Sequence, residues 1–351
     1  MRAAVLTEYG EPLDVREIEE PDPASHGVVV DVDACGVCRS DWHAWHGHGE
    51  WADDRVPLGQ VLGHEPAGEI VAVGDEVTAR ALGERVAVPF SLGCGSCPTC
   101  RNGHGNVCAD DRALGFEAST PGAFAERVHV PNAEYNVTPL PDGVSPVAMA
   151  ALGCRYVTAY NALARRADLE AGEWLAVVGC GGVGLSAVQL GAAMGARVLA
   201  VDLDGAALDL AADLGARATV DATDDPARAI RDLTDGGAHV ALDALGSAET
   251  FRTTIECLRR RGRHVQVGLT GDDERGEAAL PVDELVRNEI DLLGARGLSP
   301  TRYGDLFDLL AGGAIDPGEL VTREVSLEDV SDRLAAMDDY GVTGVEVVTE
   351  F

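Results

Sequence analysis

The sequence predicts an α/β protein in which a β-rich region is followed by a doubly wound parallel sheet. Three observations predict this fold class. The first 150 residues contain short apolar runs broken by Gly, Pro and Asp, strand-like and helix-like patterns alternate from about residue 173, and a Gly-rich turn joins the first of those strands to a helix. The 351 residues suffice for two domains of about 100 to 200 residues each, and 46% are hydrophobic, which is enough for packed cores.

The β-rich region is predicted from apolar runs at residues 27–32, 67–73 and 85–88. It also carries six of the nine cysteines and seven of the nine histidines. In a reducing compartment, such a concentration of thiols and imidazoles indicates metal binding or catalysis rather than disulfides.

The parallel sheet is predicted from strands and helices that alternate along the second half of the chain. Beyond residue 293, helices at 302–311 and 327–337 and a last strand at 342–348 either extend this sheet or return to the first domain. The predicted strands are 174–178, 197–201, 218–221, 239–245, 263–269 and 290–294, with helices at 185–194, 206–214 and 248–260 among those between them.

The chain is strongly acidic. Its 27 cationic residues, all Arg, stand against 59 Asp and Glu, so the formal charge is 27 − 59 = −32. This charge excludes nucleic acid as an expected partner, because phosphate binding needs clustered cations. The acidic residues of the folded chain also repel one another, and this repulsion is weak where concentrated salt shortens the Debye length to about 3 Å. We therefore expect a salt-adapted, halophile-type protein; an acidic protein from a GC-rich mesophile is the alternative.

We expect a cytoplasmic protein without a membrane span. The N-terminal residues lack the long apolar core of a signal peptide. Residues 174–196 are uncharged and long enough to cross a bilayer, but they contain six glycines, four of them in one cluster. A strand–turn–helix unit explains this high glycine content better than a membrane helix does.

Four closely spaced cysteines predict a structural zinc lobe at about residues 93–109. Four thiolates in a Gly-rich loop can surround one tetrahedral zinc and leave no position for water. An iron–sulfur cluster and unligated cysteines are the alternatives. The ligands are Cys94, Cys97, Cys100 and Cys108.

A glycine motif, G-x-G-x-x-G at residues 179–184, predicts a dinucleotide site. It follows an apolar strand and opens a helix, and a second strand ends in Asp202 about 20 residues later, as this motif requires. Backbone amides at the helix start receive a pyrophosphate, and Asp202 accepts hydrogen bonds from the ribose. Asp202 and Asp204 repel a 2′-phosphate, and no Arg follows before Arg217, so NAD is favoured over NADP. The residues assigned to the cofactor here are Gly179, Gly181, Gly182, Val183, Gly184 and Asp202, with Gly268 and Leu269 at the end of a later predicted strand.

A second metal site is indicated by Cys38, His64 with Glu65, and Cys154. Each residue alone is more typical of a core or a surface. Two thiolates and one imidazole would leave zinc an open fourth position, as Lewis-acid catalysis on an alcohol oxygen requires. Sequence spacing does not show that they converge.

Together these segments resemble the zinc-dependent medium-chain alcohol dehydrogenases. Their order and spacing agree with that family from near the N-terminus to about residue 270. They comprise residues 35–43 (Cys-Gly-Val-Cys-Arg-Ser-Asp-Trp-His), 63–65 (Gly-His-Glu), the four-cysteine lobe, 153–154 (Gly-Cys) and the glycine motif.

The resemblance implies a Rossmann-type domain, 153–292, inserted into a β-rich GroES-like catalytic domain, 1–152 plus 293–351. It implies an enzyme that interconverts alcohols and aldehydes or ketones with NAD and two zinc ions, one of them structural. Assembly as a homotetramer is expected by analogy, with a dimer as the alternative.

The resemblance also implies roles for individual residues. Cys38, His64 and Cys154 would ligate the catalytic zinc, with Glu65 as a transient ligand and Asp41 orienting His64. Ser40 would contact the substrate oxygen, and His43 would pass the proton to solvent through the cofactor ribose. Arg39 would meet the pyrophosphate, and Thr158 would pack against the nicotinamide.

Two features depart from the family pattern. Many relatives carry an Arg near the last strand that reaches the pyrophosphate, whereas the run here is Gly344-Val345-Glu346. Residues 42–51 are rich in Trp and His; they would line a substrate pocket with Phe90, or else His46 and His48 are exposed loop residues.

Other functions remain as alternatives. A polyol or sugar dehydrogenase of the same superfamily is the nearest, although sugar-active relatives often carry Glu where this chain has Cys154. A zinc-free quinone reductase would need neither ligand set. A noncatalytic relative would be expected to lose the ligands or relay groups, all of which are present.

Overall fold

The computed structural model describes residues 1–48, 55–110, 112–223, 225–271, 274–338 and 341–351. These residues divide into two compact units. Unit 1 comprises Met1–Val157 with Gly297–Phe351, and unit 2 comprises Thr158–Arg296. The division follows Val157 rather than residue 152, so Cys154 belongs to the same unit as Cys38 and His64.

Strands form the sheets of both units. They are β1 (Arg2–Val5), β2 (Asp14–Glu17), β3 (Val28–Val37), β4 (Pro66–Val73), β5 (Arg85–Ala87), β6 (Ser91–Leu92), β7 (Arg112–Ala113), β8 (Arg127–Val130), β9 (Thr138–Pro139), β10 (Trp174–Val178), β11 (Arg197–Asp202), β12 (Ala218–Asp221), β13 (Ala238–Asp243), β14 (Leu258–Gln266), β15 (Asp291–Gly294), β16 (Val321–Ser326) and β17 (Val345–Glu350).

Helices flank or connect these strands. They are α1 (Arg39–His46), α2 (Pro98–Arg101), α3 (Ala133–Asn136), α4 (Pro146–Ala151), α5 (Val157–Tyr160), α6 (Gly182–Ala193), α7 (Gly205–Asp213), α8 (Pro226–Thr234), α9 (Ala248–Glu256), α10 (Val282–Asn288), α11 (Tyr303–Ala311) and α12 (Val330–Ala335), with 3-10 turns at Gly105–Val107, Pro300–Arg302 and Pro317–Leu320 and π turns at Leu152–Tyr156 and Asn161–Arg166.

Unit 2 is the predicted doubly wound sheet. Its strands run in the order β12-β11-β10-β13-β14-β15, and every pair is parallel. The order reverses between β10 and β13, so the turn after β10 opens at the switch point where such sheets bind ligands.

Unit 1 is built on a mixed sheet with the order β16-β17-β3-β4-β5-β9, and β8 also pairs with β3. The C-terminal strand β17 lies antiparallel to β3, with Glu346 opposite Val37. The C-terminal segment therefore returns to the first domain, which settles the alternative that the sequence left open. The alternating apolar side chains of β3, including Val28 and Val30, are fully buried in the core of this unit.

The predicted helix at 248–260 was too long. α9 ends at Glu256, and β14 begins at Leu258, which pairs with Ala238 of β13. Arginines at 259–261 favour a helix locally, but pairing within the sheet decides the conformation. β14 ends at Gln266, so Leu269 lies beyond the strand that was predicted to contain it and is 75% exposed.

No helix among the described residues is long and apolar enough to cross a membrane. The uncharged stretch at 174–196 forms β10, the glycine turn and α6 instead.

Candidate active site

Cys38 lies where β3 ends and α1 begins. It has an extended backbone (φ −116°, ψ 155°), and its N–H donates to Oδ2 of Asp41, 3.0 Å away. A carboxylate in the first turn accepts a helix N–H that has no partner within the helix and also suits the helix dipole. This capping fixes the thiol of Cys38 at the base of α1.

His64 is held by the same carboxylate. Its Nδ1 lies 2.8 Å from Oδ1 of Asp41, which also accepts the N–H of Gly63 at 3.1 Å. Burial by itself lowers the pKa of His64, but Asp41 outweighs it and raises this pKa well above its usual value. When the ring is neutral and Nδ1–H is directed at Asp41, Nε2 carries the lone pair, and this buried atom has no hydrogen-bond partner among the described residues.

Cys154 reaches the site because Gly153 interrupts the helical path. Ser145 caps α4 by accepting the N–H of Ala148, and Gly153 then adopts φ −19° and ψ −135° inside the π turn. A Cβ at Gly153 would lie 2.7 Å from Cβ of Glu65. Glycine therefore permits the close approach to Glu65.

The structure brings the predicted ligands together. Ligand atoms of Cys38, His64, Glu65 and Cys154 all lie within 4.8 Å of one another. Contact with the Cys154 thiol lowers the pKa of Cys38 well below its usual range, and burial raises the pKa of Glu65 to about 7. Two soft thiols and a buried imidazole nitrogen without a partner fit a zinc ion.

The four-cysteine lobe also converges. Three pairs of Sγ atoms lie 3.6 to 3.9 Å apart, and all four lie within 4.8 Å of one another. Four thiolates placed tetrahedrally at a Zn–S distance of about 2.3 Å would be about 3.8 Å apart. Backbone amides of Ser96 and Cys97 lower the pKa of Cys94 to about 6, which favours the thiolate. The ligands are Cys94, Cys97, Cys100 and Cys108.

The glycine motif forms the turn between β10 and α6. Gly179 has φ +90°, a region that favours glycine, and Gly181 immediately precedes α6 with open space where a Cβ would stand. A Cβ at Gly184 would clash with the carbonyl oxygen of Gly179. Gly182 and Val183 are the first two residues of α6, so their amides are at the helix start, where a phosphate binds.

Asp202 ends β11 beside this turn. Its Oδ2 accepts the N–H of Cys180 at 2.5 Å, and its Oδ1 accepts the N–H of Asp204 at 2.9 Å. The carboxylate is therefore fixed at the carboxyl edge of the sheet. Cys180 is buried beneath the turn, consistent with a small space-filling side chain.

Two family models match this chain. The alcohol dehydrogenase GroES-like domain matches residues 24–142, and the zinc-binding dehydrogenase model matches residues 182–312. An alcohol dehydrogenase of Geobacillus stearothermophilus is 33% identical over 98% of this chain and 97% of its own length. The chain belongs to the zinc-dependent medium-chain alcohol dehydrogenase family.

Two further relatives agree with this family. An NAD-dependent alcohol dehydrogenase of Sulfurisphaera tokodaii is 34% identical over 99% of both chains. The structure of an alcohol dehydrogenase from Thermus sp. ATN1 superposes with a TM-score of 0.89 and 30% identity, covering 100% of both chains.

Ser40 and His43, the two residues predicted to relay the proton, lie on α1. Ser40 Oγ is 3.9 Å from Sγ of Cys38, and Nδ1 of His43 is 3.4 Å from Nδ1 of His48. Arg39 donates to the carbonyl oxygen of Met337 at 2.5 Å and stacks 3.8 Å from the ring centroid of Trp42.

The extra histidines are not simple exposed loop residues. His46 and His48 stack with ring planes 7° apart, and Nε2 of His46 lies 2.8 Å from Oδ1 of Asp338. Phe90 packs edge-on against His64, with ring centroids 5.9 Å apart. The last part of the Trp- and His-rich segment, Gly49, Glu50 and Trp51, lies outside the described residues.

The remaining predicted cofactor residues lie in unit 2. Thr158 is buried on α5, and Gly268 lies so close to Gly246 that a Cβ would come within 2.4 Å of its N atom.

Near the C-terminus, Val345 is fully buried and Glu346 forms a two-pronged ion pair with Arg333 at 2.7 and 2.8 Å. This ion pair lies in the Gly344–Glu346 run, where the sequence departs from the pattern that the family resemblance implies.

Sequence reasoning missed Arg155, which contacts Glu65 at the centre of the site. Its side chain is 6% exposed, and it donates to the carbonyl oxygen of Val37 at 2.9 Å. A charged residue directly after Cys154 in an otherwise apolar stretch was the available signal.

Proposed function

We propose that this chain is an NAD-dependent zinc alcohol dehydrogenase that interconverts alcohols and aldehydes or ketones. The observation that carries the proposal is the convergence of two thiols and one buried imidazole, which would leave a fourth metal position for substrate. Membership of the family supports the same activity.

Cys38, His64 and Cys154 would hold the catalytic zinc, with Glu65 beside it. Asp41 accepts the Nδ1–H of His64, so Nε2 is the ring nitrogen that would bind the ion once it has lost its proton. When bound, zinc would act as a Lewis acid that makes the hydroxyl of a coordinated alcohol easier to deprotonate. The four cysteines of the lobe would hold a second, structural zinc.

Ser40 and His43 would carry the proton away. The Ser40 hydroxyl is close to Cys38, so it can accept a hydrogen bond from a substrate hydroxyl at the fourth position of the catalytic metal. His43 follows on the same helix and would transfer the proton toward solvent, because an imidazole exchanges protons readily near neutral pH.

The turn after β10 would bind NAD, which supplies the hydride acceptor. Amides at the start of α6 would receive the pyrophosphate, together with Arg39, and Asp202 would accept hydrogen bonds from the adenosine ribose. Thr158 would pack against the nicotinamide, and Gly268 and Leu269 would complete the cofactor contacts. A 2′-phosphate would be repelled by Asp202 and Asp204.

We propose further that the enzyme works in a salt-rich cytoplasm as a homotetramer, with a dimer as the alternative. A charge of −32 supports the first part. Strand β15 forms one edge of the six-stranded sheet, and edge strands are common places for subunits to join.

The proposal is tested by initial rates of NAD and NADP reduction in molar KCl with primary alcohols, secondary alcohols and polyols, with and without a chelator. We expect chelator-sensitive oxidation of simple alcohols with NAD preferred. Turnover confined to polyols or sugars would contradict the proposed substrate class, and preference for NADP would contradict the role of Asp202.

A matched pair of variants isolates the cofactor preference. Asp202→Asn removes the charge but keeps an oxygen for the N–H of Cys180, and we expect the preference for NAD over NADP to fall about tenfold. Asp221→Asn removes a charge at the end of the neighbouring strand β12 and should leave the preference unchanged.

A further inference from the structure

Arg155 places a buried guanidinium among the metal ligands. Its Nη1 donates to the carbonyl oxygen of Val37 at 2.9 Å, its Nη2 donates to Oε2 of Glu65, and its backbone N–H donates to Oε1 of Glu65 at 3.3 Å. The side chains of Arg155 and Glu65 are 6% and 0% exposed. Both carboxylate oxygens of Glu65 are therefore engaged by one residue.

The three residues joined in this way each adjoin a ligand. Val37 precedes Cys38, Glu65 follows His64, and Arg155 follows Cys154. A single side chain thus connects three segments that are far apart in sequence, and it connects them within one residue of each ligand.

The ion pair is enclosed tightly by glycines. A Cβ at Gly36 would clash with Oε2 of Glu65 and lie 2.6 Å from Nη2 of Arg155, and a Cβ at Gly153 would lie 2.8 Å from Cγ of Glu65. Packing this close leaves little space for other rotamers while the pair is intact.

Glu65 would otherwise compete with substrate. Its carboxylate oxygen lies within 4.8 Å of the ligand atoms of Cys38, His64 and Cys154, and carboxylates are ordinary zinc ligands. A buried carboxylate deprived of its guanidinium would gain strongly from binding the metal, because an unpaired buried charge is costly.

We propose that Arg155 is a positioning residue that holds Glu65 out of the fourth metal position and so keeps that position open for the substrate oxygen. The inference rests on the proposed function only in assigning that position to substrate. That Arg155 holds Glu65 away from the metal does not depend on which substrate binds or on turnover.

The test uses the Co²⁺-substituted full-length protein, whose visible spectrum reports the ligands of the metal, titrated with imidazole as a small neutral probe of an open position. Wild type should bind imidazole with a spectral change. Arg155→Gln should lose affinity by at least about tenfold, because the released carboxylate occupies the position. Adding Glu65→Gln to that variant should restore the affinity to within about threefold of wild type.

Three controls accompany this cycle. Arg333→Gln breaks the partly buried Arg333–Glu346 ion pair of the same unit and should leave imidazole binding unchanged. Arg155→Lys keeps the buried charge without the two-pronged geometry, so it tests the proposal if Arg155→Gln does not fold, and we expect a smaller loss that Glu65→Gln again reverses. Urea unfolding of each variant reports its stability separately.

Unchanged imidazole affinity in folded Arg155→Gln or Arg155→Lys would overturn the proposal. So would a loss of affinity that Glu65→Gln fails to reverse, since that outcome would mean that Arg155 acts on the ligands by general structural support. Because imidazole binding needs no turnover, a wild-type protein that binds imidazole as described but oxidises no alcohol would refute the proposed function and leave the role of Arg155 intact.

Discussion

At the scale of single residues, Asp41 organises the catalytic metal site. This fully buried carboxylate accepts hydrogen bonds from the backbone of Cys38 and Gly63 and from the ring of His64. A carboxylate with three donors is stable in the interior, and these donors belong to two of the three ligand-bearing segments.

Asp41→Asn should weaken zinc binding about 10- to 100-fold, because an amide cannot accept equally from all three donors and no longer fixes the ring orientation of His64. Competition with a chromogenic chelator measures the affinity. Asp243→Asn is the matched control, since Asp243 is a buried carboxylate that accepts amides of Leu245 and Gly246 in unit 2. Equal zinc affinity in Asp41→Asn and wild type would contradict the role of Asp41.

His264 predicts how stability depends on pH. Burial lowers its pKa from 6.5 to about 4, so between these values the unfolded chain binds a proton that the folded chain does not. The free energy of unfolding is therefore highest above pH 6.5, and it falls by about 3 kcal/mol on account of His264 as the pH is lowered to about 4.

His264→Gln should therefore flatten the dependence of unfolding free energy on pH between about 4 and 6.5. Urea titrations at several pH values measure the slope. A slope unchanged by His264→Gln would show that other groups cause the acid loss.

At the scale of elements, the sequence allowed prediction of most of the cofactor domain. β10 and β12 have the predicted bounds, and β10 is a short apolar run followed directly by the glycine turn. The junction of α9 with β14 was wrong, because pairing of Leu258 with Ala238 is a long-range contact that local propensity does not contain.

The site was predictable only in part, for the same reason. The glycine turn and the four-cysteine lobe are local and have diagnostic spacing, so residue types alone indicate them. Cys38, His64 and Cys154 lie on three separate segments, and only the family resemblance joined them before the structure did. The position of Arg155 directly after Cys154 marks this residue as unusual, but its pairing with Glu65 spans 90 residues and could not be predicted from the sequence.

The lobe is expected to depend on its own zinc. Cys100→Ser should lower the zinc content from two to one per chain and the Tm by about 5 °C or more, because the short elements of this loop have little core of their own. Elemental analysis and calorimetry check both values. Cys257→Ser, at a fully buried cysteine outside both ligand sets, should keep two zinc ions. A Cys100→Ser variant that keeps two zinc ions per chain would contradict a structural zinc site in the lobe.

At the scale of the whole molecule, the two units divide the chemistry. Both ligand sets belong to unit 1, whereas the glycine turn and Asp202 belong to unit 2. β17 pairs with β3 directly before Cys38, so the C-terminal segment supports the strand that leads into the catalytic ligands.

The charge of −32 predicts that salt stabilises the fold. The unfolding free energy should rise as KCl increases from about 0.1 to 2 M, because the Debye length falls from about 10 Å to below about 3 Å and screens the acidic surface. Denaturation in sorbitol of equal osmolality separates screening from a general solute effect. Stability that does not depend on KCl would contradict salt adaptation.

The most direct test of the central claim is to count zinc and measure alcohol-dependent NAD reduction in Cys154→Ser beside wild type, in molar KCl. The account predicts two zinc ions per wild-type chain, one per folded variant chain, and turnover lower by about a thousandfold or more, because Lewis-acid stabilisation is worth several kcal/mol. A folded variant that keeps two zinc ions, or that loses one and oxidises alcohol at the wild-type rate, would contradict a catalytic zinc held by Cys38, His64 and Cys154.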